Sequence, residues 1–280
     1  MRRRHPALTR LLAQPAAAVS LGFLIAEVVV VLLLPLVLGQ DPNVTDRAAG
    51  FWAAPGGAHL LGTDDVGRDL FARLLAGGRV SLLVGYAAAG LSAVLGVPLG
   101  LLAGYKGGKW EYGIMRTCDT FQSFPSLILV LCMVALLGPS VWNLVLVIGG
   151  LGWASIARLV YGCTLSVKGR EYVTASRLLG ATDRMVLFRT ILPNVVAPVW
   201  AALPVKVGRA ILWESSLSFL GVGLRTPQAS WGNLMRNAME LVTLTTRPWA
   251  WIPPGACIIL TVLALLLVSE GLRRAFDPRS

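Results

Sequence analysis

Residues 250–269, AWIPPGACIILTVLALLLVS, contain no charged side chain. Crossing the hydrocarbon core of a bilayer takes about 20 mostly apolar residues in one helix, and this run has that length. Working back along the chain, Ser81–Tyr105 is equally free of charge. Thr120–Gly138 forms another run, with Arg116 and Asp119 in an expected turn before it, and Val141–Ala157 forms a short one. Asn194–Trp213 is apolar except for Lys206 and Arg209, and Ala16–Gly39 contains the single charge of Glu27. The reading is an all-α membrane protein with six transmembrane helices.

Composition points the same way. Of 280 residues, 55% are hydrophobic and 14% charged, against about 25% charged in a soluble domain. Too few charges are present to coat a water-exposed surface. The net charge of +11 is scattered between apolar runs, without a basic stripe interleaved with aromatics, so no nucleic-acid partner is expected. Cys118, Cys132, Cys163 and Cys257 lie in or beside apolar runs, without CxxC spacing or a neighbouring His. They read as small hydrophobes rather than a disulfide framework or a zinc site. His5 and His59 are the only histidines, and no metal site is expected.

Arg2, Arg3, Arg4 and Arg10 precede the first run, which leaves a cleaved signal peptide as an alternative. The run is long for such a segment and no small-x-small site follows it, which favours a retained span. Basic residues near span ends mark the cytoplasmic side. An N-in, C-in topology puts Arg2–Arg4, Arg10, Lys106, Lys109, the stretch from Arg158 to Arg189, and Arg273, Arg274 and Arg279 inside. It leaves 40–80, the turn near Gly138–Ser140 and 221–249 outside. The expected organisation is a cytoplasmic N-terminus at 1–15, a first transmembrane helix at 16–39 and an extracytoplasmic loop at 40–80. The membrane core at 81–275 and a cytoplasmic tail at 276–280 complete it.

Within that inner stretch, residues 169–198 read GREYVTASRLLGATDRMVLFRTILPNVVAP. Tyr172, Ala175, Ser176 and Leu179 share one helix face at i, i+3, i+4 and i+7, with Arg170, Thr174 and Arg177 on the other. Gly180 suits the left-handed end of that helix. Thr182 can cap a second short helix from Asp183 to Ile191, which Pro193 is expected to interrupt before the next span. This helix–Gly–helix elbow could press a small-residue face into a partner's groove. It could equally lie on the headgroups, with Arg177, Arg184 and Arg189 on lipid phosphates.

Ala175-Ser176, Gly180 and Leu192-Pro193 resemble the coupling motif of ABC importer permeases, Glu-Ala-Ala, three residues, Gly, then a hydrophobic-x-Leu-Pro. Thr174 stands where that family has Glu. HLLGTDDVGRDLF at 59–71 resembles the LGTDxxGRD signature of the dipeptide, oligopeptide and nickel permeases. SSLSFLGVGL at 215–224, Ser230-Trp231-Gly232, and the ending Gly271-Leu272-Arg273 with Asp277-Pro278-Arg279 resemble that family's later segments and its C-type subunits. The resemblance implies a type I permease fold and a heterodimer with a B-type permease, two ATPase subunits and an extracytoplasmic solute-binding protein. It also implies that Tyr172, Thr174, Ala175, Ser176, Arg177, Leu179, Gly180, Ala181 and Arg184, in coupling helices at about 169–191, meet the ATPase. The cargo would be a peptide or a related small solute such as a nickel chelate. With no G-x-x-x-x-G-K-[ST] loop in the chain, ATP and Mg are expected on the partner ATPases, and no cofactor on this chain.

Three further places carry expectations. In Gly62, Thr63, Asp64, Gly67, Arg68 and Asp69, the glycines allow tight turns and Asp69 can cap or pair with Arg73. This signature reads either as a structural elbow or as a contact with the binding protein. Lys206 and Arg209 share a face of the fifth span, Lys206 about 20 Å up the helix from Pro193. Such cations mark a pathway, with Glu214 a third candidate, or else pair internally with Glu214 or Glu27. The resembling family usually has apolar or small residues at 206 and 209. A membrane-embedded enzyme would need paired carboxylates or a Ser/His arrangement, and a secondary transporter would show inverted repeats. Neither pattern is visible.

Overall fold

The computed structural model describes residues 7–57 and 59–276. Arg2–Arg4, His5 and the tail motif Asp277, Pro278 and Arg279 lie outside the described residues. Helix α1 (Ala7–Leu12) leads into α2 (Pro15–Leu38), which has Pro in its first turn and ends on Gly39 at φ +60°. Pro35 lies inside α2 and lacks an N–H, so the Val31 carbonyl four residues back has no helical donor. Arg79 fills the gap, its Nε on the Val31 oxygen and its Nη2 on Leu32, both at 2.8 Å.

The second span, α3, runs from Leu70 to Lys106 and therefore starts at Leu70 rather than Ser81. The expected outer loop at 40–80 gives up its last residues to this helix. Asp69 begins it, its carboxylate accepting from the Ala72 N–H at 2.7 Å. At 37 residues the helix is about 55 Å long, well beyond the ~30 Å hydrocarbon core. The charges of Arg73 and Arg79 hide this segment from a hydropathy reading, and both are engaged by other parts of the chain.

Helix α3 packs along α6 (Val141–Lys168) through Gly96, Gly100 and Gly104, spaced four apart. A Cβ at Gly96 would lie 2.7 Å from Ile156 Cβ, at Gly100 2.7 Å from Val160 Cβ, and at Gly104 2.6 Å from Thr164 Cβ. Small residues let membrane helices meet backbone to backbone, where van der Waals packing replaces the hydrophobic drive. Helix α6 also continues past Ala157, the expected end of the fourth span.

The third span is not one helix. Helix α4 (Gly108–Ser123) and helix α5 (Ser126–Leu137) meet at 87°. Pro125 disfavours helical backbone at the residue before it, and Phe124 is extended at φ −92°, ψ 144°. Arg116 and Asp119 thus sit within α4, not in a turn, and α5 alone reaches about 18 Å, short of a crossing. By length and composition the membrane helices are five continuous ones plus this broken pair.

After α6 come α7 (Glu171–Leu178), the single turn α8 (Asp183–Met185), a wider π segment (Val186–Ile191) and α9 (Leu192–Phe219). Pro193 does not interrupt the chain's path. The i→i+5 turn just before it opens the ladder on which the pyrrolidine ring would clash. The segment 221–249 holds two short helices, α10 (Trp231–Asn237) and α11 (Leu241–Thr246), and α12 (Pro248–Phe276) closes the bundle. Gln14 Nε2 bonds the Gly271 carbonyl at 3.2 Å, joining the N-terminal helices to the end of α12. If the bent α4–α5 pair is counted as one crossing, that end, the α3–α4 junction and the α6–α9 elbow fall on one side, which fits an N-in, C-in topology.

Candidate coupling and translocation sites

The elbow is anchored through residues outside its own motif. Val173 is fully buried, packed with Leu101, Tyr105, Val160, Val186 and Ile191. Arg177 lies over the Tyr105 ring at 5.3 Å from its centroid, a cation–π contact. Lys168 Nζ donates to the Tyr105 carbonyl at 2.7 Å, and the Tyr105 hydroxyl donates to Asp183. Gly180 adopts φ +86°, the left-handed value glycine takes without a Cβ penalty, and the Ala181 N–H closes the turn on the Ser176 carbonyl at 3.1 Å. Thr182 caps the next turn, accepting from the Met185 N–H at 3.3 Å.

The expected face divides differently in space. Ser176 is half-buried, while Tyr172, Thr174, Ala175, Leu179, Gly180 and Arg184 are exposed and Ala181 is half-buried. Leu178, outside the small-residue face, is 84% exposed and Leu179 88%. Arg177, exposed at its surface, is held against Tyr105. The outward surface is therefore more apolar than the four-residue face suggests.

In the fifth span, Lys206 and Arg209 lie where α9 passes α3 and α6, beside a small cleft lined by Ala88, Ser92, Gly152 and Trp213. Lys206 Nζ donates to Ser155 Oγ on α6. Among the described residues neither cation pairs with a carboxylate, so the internal ion pairs with Glu214 or Glu27 are not formed. Glu27 accepts from Thr261 Oγ1 at 2.6 Å. Glu214 is fully buried, its Oε2 accepting from Ser81 Oγ at 2.7 Å and its Oε1 from Ser218 Oγ at 2.8 Å, with Ser215 Oγ at 3.4 Å. Ser81 Oγ accepts in turn from the Trp231 N–H and Ser218 Oγ from the Leu224 N–H, both at 3.3 Å. Glu214 thus clasps the segment from Leu224 to Trp231 onto α3 and α9 and has no surface toward the cleft. Sequence reading could not find this cage, because its members are separated by up to 150 positions.

The signature at 62–69 closes on itself. Thr63 Oγ1 donates to the Gly50 carbonyl and accepts from the Ala53 N–H, both at 2.8 Å. Gly62 sits at φ +73°, and its carbonyl takes the Leu70 N–H at 3.0 Å. Asp64 Oδ2 meets Arg68 Nε at 2.7 Å and Arg73 Nε at 3.3 Å, all three side chains buried. The Gly67 N–H returns to the Asp64 carbonyl at 3.1 Å. Asp69 caps α3 as expected, but its second partner is His59 Nδ1 at 2.7 Å, not Arg73. His59 Nε2 reaches Asp46 at 3.3 Å.

The Asp69 hydrogen bond, aided by Asp46, holds the His59 imidazole above its ordinary pKa against a smaller burial effect. A raised pKa means the unfolded state loses its proton first. The bridge is fully present below about pH 6.5 and is lost as pH rises through the raised value. Limited proteolysis of the loop at 40–69 should accelerate over that rise, and His59→Gln should flatten the profile. An unchanged profile would contradict the bridge.

Residues 96–280 match the family model described as binding-protein-dependent transport system inner membrane component. A putative peptide permease of Brucella suis biovar 1 is 40% identical over 272 residues, 97% of this chain and 89% of that protein. The oligopeptide transport system permease protein of Bacillus subtilis is 33% identical over 273 residues, 98% and 88% of the two chains. The glutathione transport system permease protein of Pectobacterium atrosepticum is 39% identical over 225 residues, 80% and 74%. The chain is thus an inner-membrane transport component rather than an enzyme, and it belongs to the family of binding-protein-dependent transport system inner membrane components.

Proposed function

We propose that the chain forms one transmembrane half of an ATP-binding-cassette importer for peptides, working by alternating access, and that its elbow at 169–191 seats in a separate ATPase subunit. The peptide class follows the names of the relatives, in preference to a nickel chelate. The companions of this reading are a B-type permease, two ATPases that bind ATP and Mg, and an extracytoplasmic binding protein. The observation that carries the elbow's role is its surface: Leu178 and Leu179 stand almost fully exposed at a turn rigidly fixed from behind by Val173, Tyr105 and Asp183. Exposed apolar side chains on a rigid support mark a docking surface. Thr174 in place of the motif's Glu means that the fit rests on shape and on exposed cations such as Arg184.

Leu178→Asp combined with Leu179→Asp leaves the buried anchor untouched. Purification of the complete complex should then lose the ATPase subunits while retaining the second permease, and uptake should fall more than about tenfold, the measure of 1.4 kcal/mol or more. ATPase recovered at wild-type stoichiometry with normal uptake would overturn the docking role.

A further inference from the structure

We propose that Lys206 and Arg209 form a carboxylate-binding contact within the membrane, which receives the anionic group of the passing solute. The proposal rests on the peptide-importer reading above and adds a chemical preference to it.

Lys206 lies at the middle of α9, which spans Leu192–Phe219, so either end of the helix is about 20 Å away. That is too deep for a lysine stem to reach headgroup phosphates. Arg209 is one turn further along, on the same face, and is exposed. Cations at this depth are costly and are retained where they meet a partner or line a polar path. The chain's own carboxylates do not serve. Glu214 is enclosed by Ser81, Ser215 and Ser218, and Glu27 is held by Thr261.

Ser155 Oγ, a neutral group, is what Lys206 Nζ meets inside the subunit. That contact orients the ammonium without neutralising it. The adjoining cleft is walled by Ala88, Ser92 and Gly152 with Trp213; beside it Arg209 is exposed and Lys206 is half-buried. Arg209 offers a planar fork of donors that matches a carboxylate, and Lys206 adds a point charge beside it. Two positive heads on one face, unneutralised and at mid-membrane, suit a carboxylate that arrives from outside the chain.

The test uses the whole importer, with its binding protein, in proteoliposomes. Uptake is compared for two C-terminally amidated tripeptides that differ only in a central Glu or Gln, so that the Gln peptide carries no carboxylate, at saturating binding-protein occupancy, for wild type and for Lys206→Gln/Arg209→Gln. Each variant rate is divided by the wild-type rate for the same peptide, which cancels selection by the binding protein. The expected result is a fall of about tenfold for the Glu peptide and less than twofold for the Gln peptide. The charge-preserving pair Lys206→Arg and Arg209→Lys should restore at least half of the Glu-peptide rate.

Equal losses for both peptides would overturn the proposal, and a weakened permease heterodimer alongside them would assign the cations to a carboxylate of the partner subunit. Unchanged rates for both peptides would also overturn it, while leaving the importer reading intact. If the wild-type complex moved neither peptide, the peptide reading itself would fall, and this inference with it.

Discussion

Gly100→Leu is expected to leave little folded protein in detergent, whereas Gly90→Leu is expected to behave like wild type. At Gly100 a Cβ would stand 2.7 Å from Val160 Cβ and closer still to the Ala157 carbonyl oxygen, so α3 and α6 could not keep their approach. Overpacking a compliant core costs about 1–3 kcal/mol. Here the obstacle is partly backbone, and Gly96 and Gly104 lock the same seam a turn to either side, so the cost should exceed that range. Total stabilities are only about 5–15 kcal/mol. Gly90 lies on the same helix with nothing within 4 Å of its would-be Cβ. Thermal unfolding followed by monodispersity separates the two variants, and equal midpoints would contradict the account of the α3–α6 seam.

Asp64→Asn should be the second severe substitution. Asp64 and Arg73 are 1% and 0% exposed, and the same carboxylate also holds Arg68 and the N–H groups of Val66 and Arg68. Removing one partner of a buried pair strands the other charge, at a cost of about 3–5 kcal/mol. Arg73 also reaches toward the carbonyls of Pro42 and Pro227, at 3.3 and 3.5 Å. Loss of its counter-charge should therefore loosen the segments around Pro42 and Pro227 together. Asp65→Asn serves as the comparison, since Asp65 is 43% exposed and stands 3.5 Å from Arg68. Tryptic cleavage at Arg68 should become fast in the Asp64 variant and stay slow in the Asp65 variant. Equal rates would mean that the buried pair does not hold the loop.

The membrane class, the five long spans and the helix–Gly–helix elbow are legible because each depends on local pattern. Length and apolarity define a span, and Gly180 ends α7 in the left-handed conformation its residue type suggests. What hydropathy could not show was shape. Thr120–Gly138 has the composition of a span, yet Pro125 turns it through 87°, and only the proline was visible in advance. Likewise Arg73 and Arg79 look like loop residues until Asp64 and the Pro35-freed carbonyl of Val31 are seen to receive them. The outward face of the elbow depended on where Val173 and Arg177 find Tyr105, about 70 positions earlier in the chain. No periodicity within 169–191 encodes that contact. The pairing of Lys206 and Arg209 on one face was readable from their spacing. The absence of an internal carboxylate partner was not, because Glu214 is captured by Ser81, 133 positions away, together with Ser215 and Ser218 of its own helix.

The most direct test of the central claim places a photo-crosslinking residue at position 179 in the assembled importer, and in a second preparation at position 137. Leu179 is 88% exposed on the elbow, and Leu137 is 58% exposed at the far end of α5. The account predicts a crosslink from position 179 to an ATPase subunit, weakened when nucleotide changes the ATPase conformation, and none from position 137. Crosslinking of the ATPase from both positions alike, or from 137 alone, would contradict it.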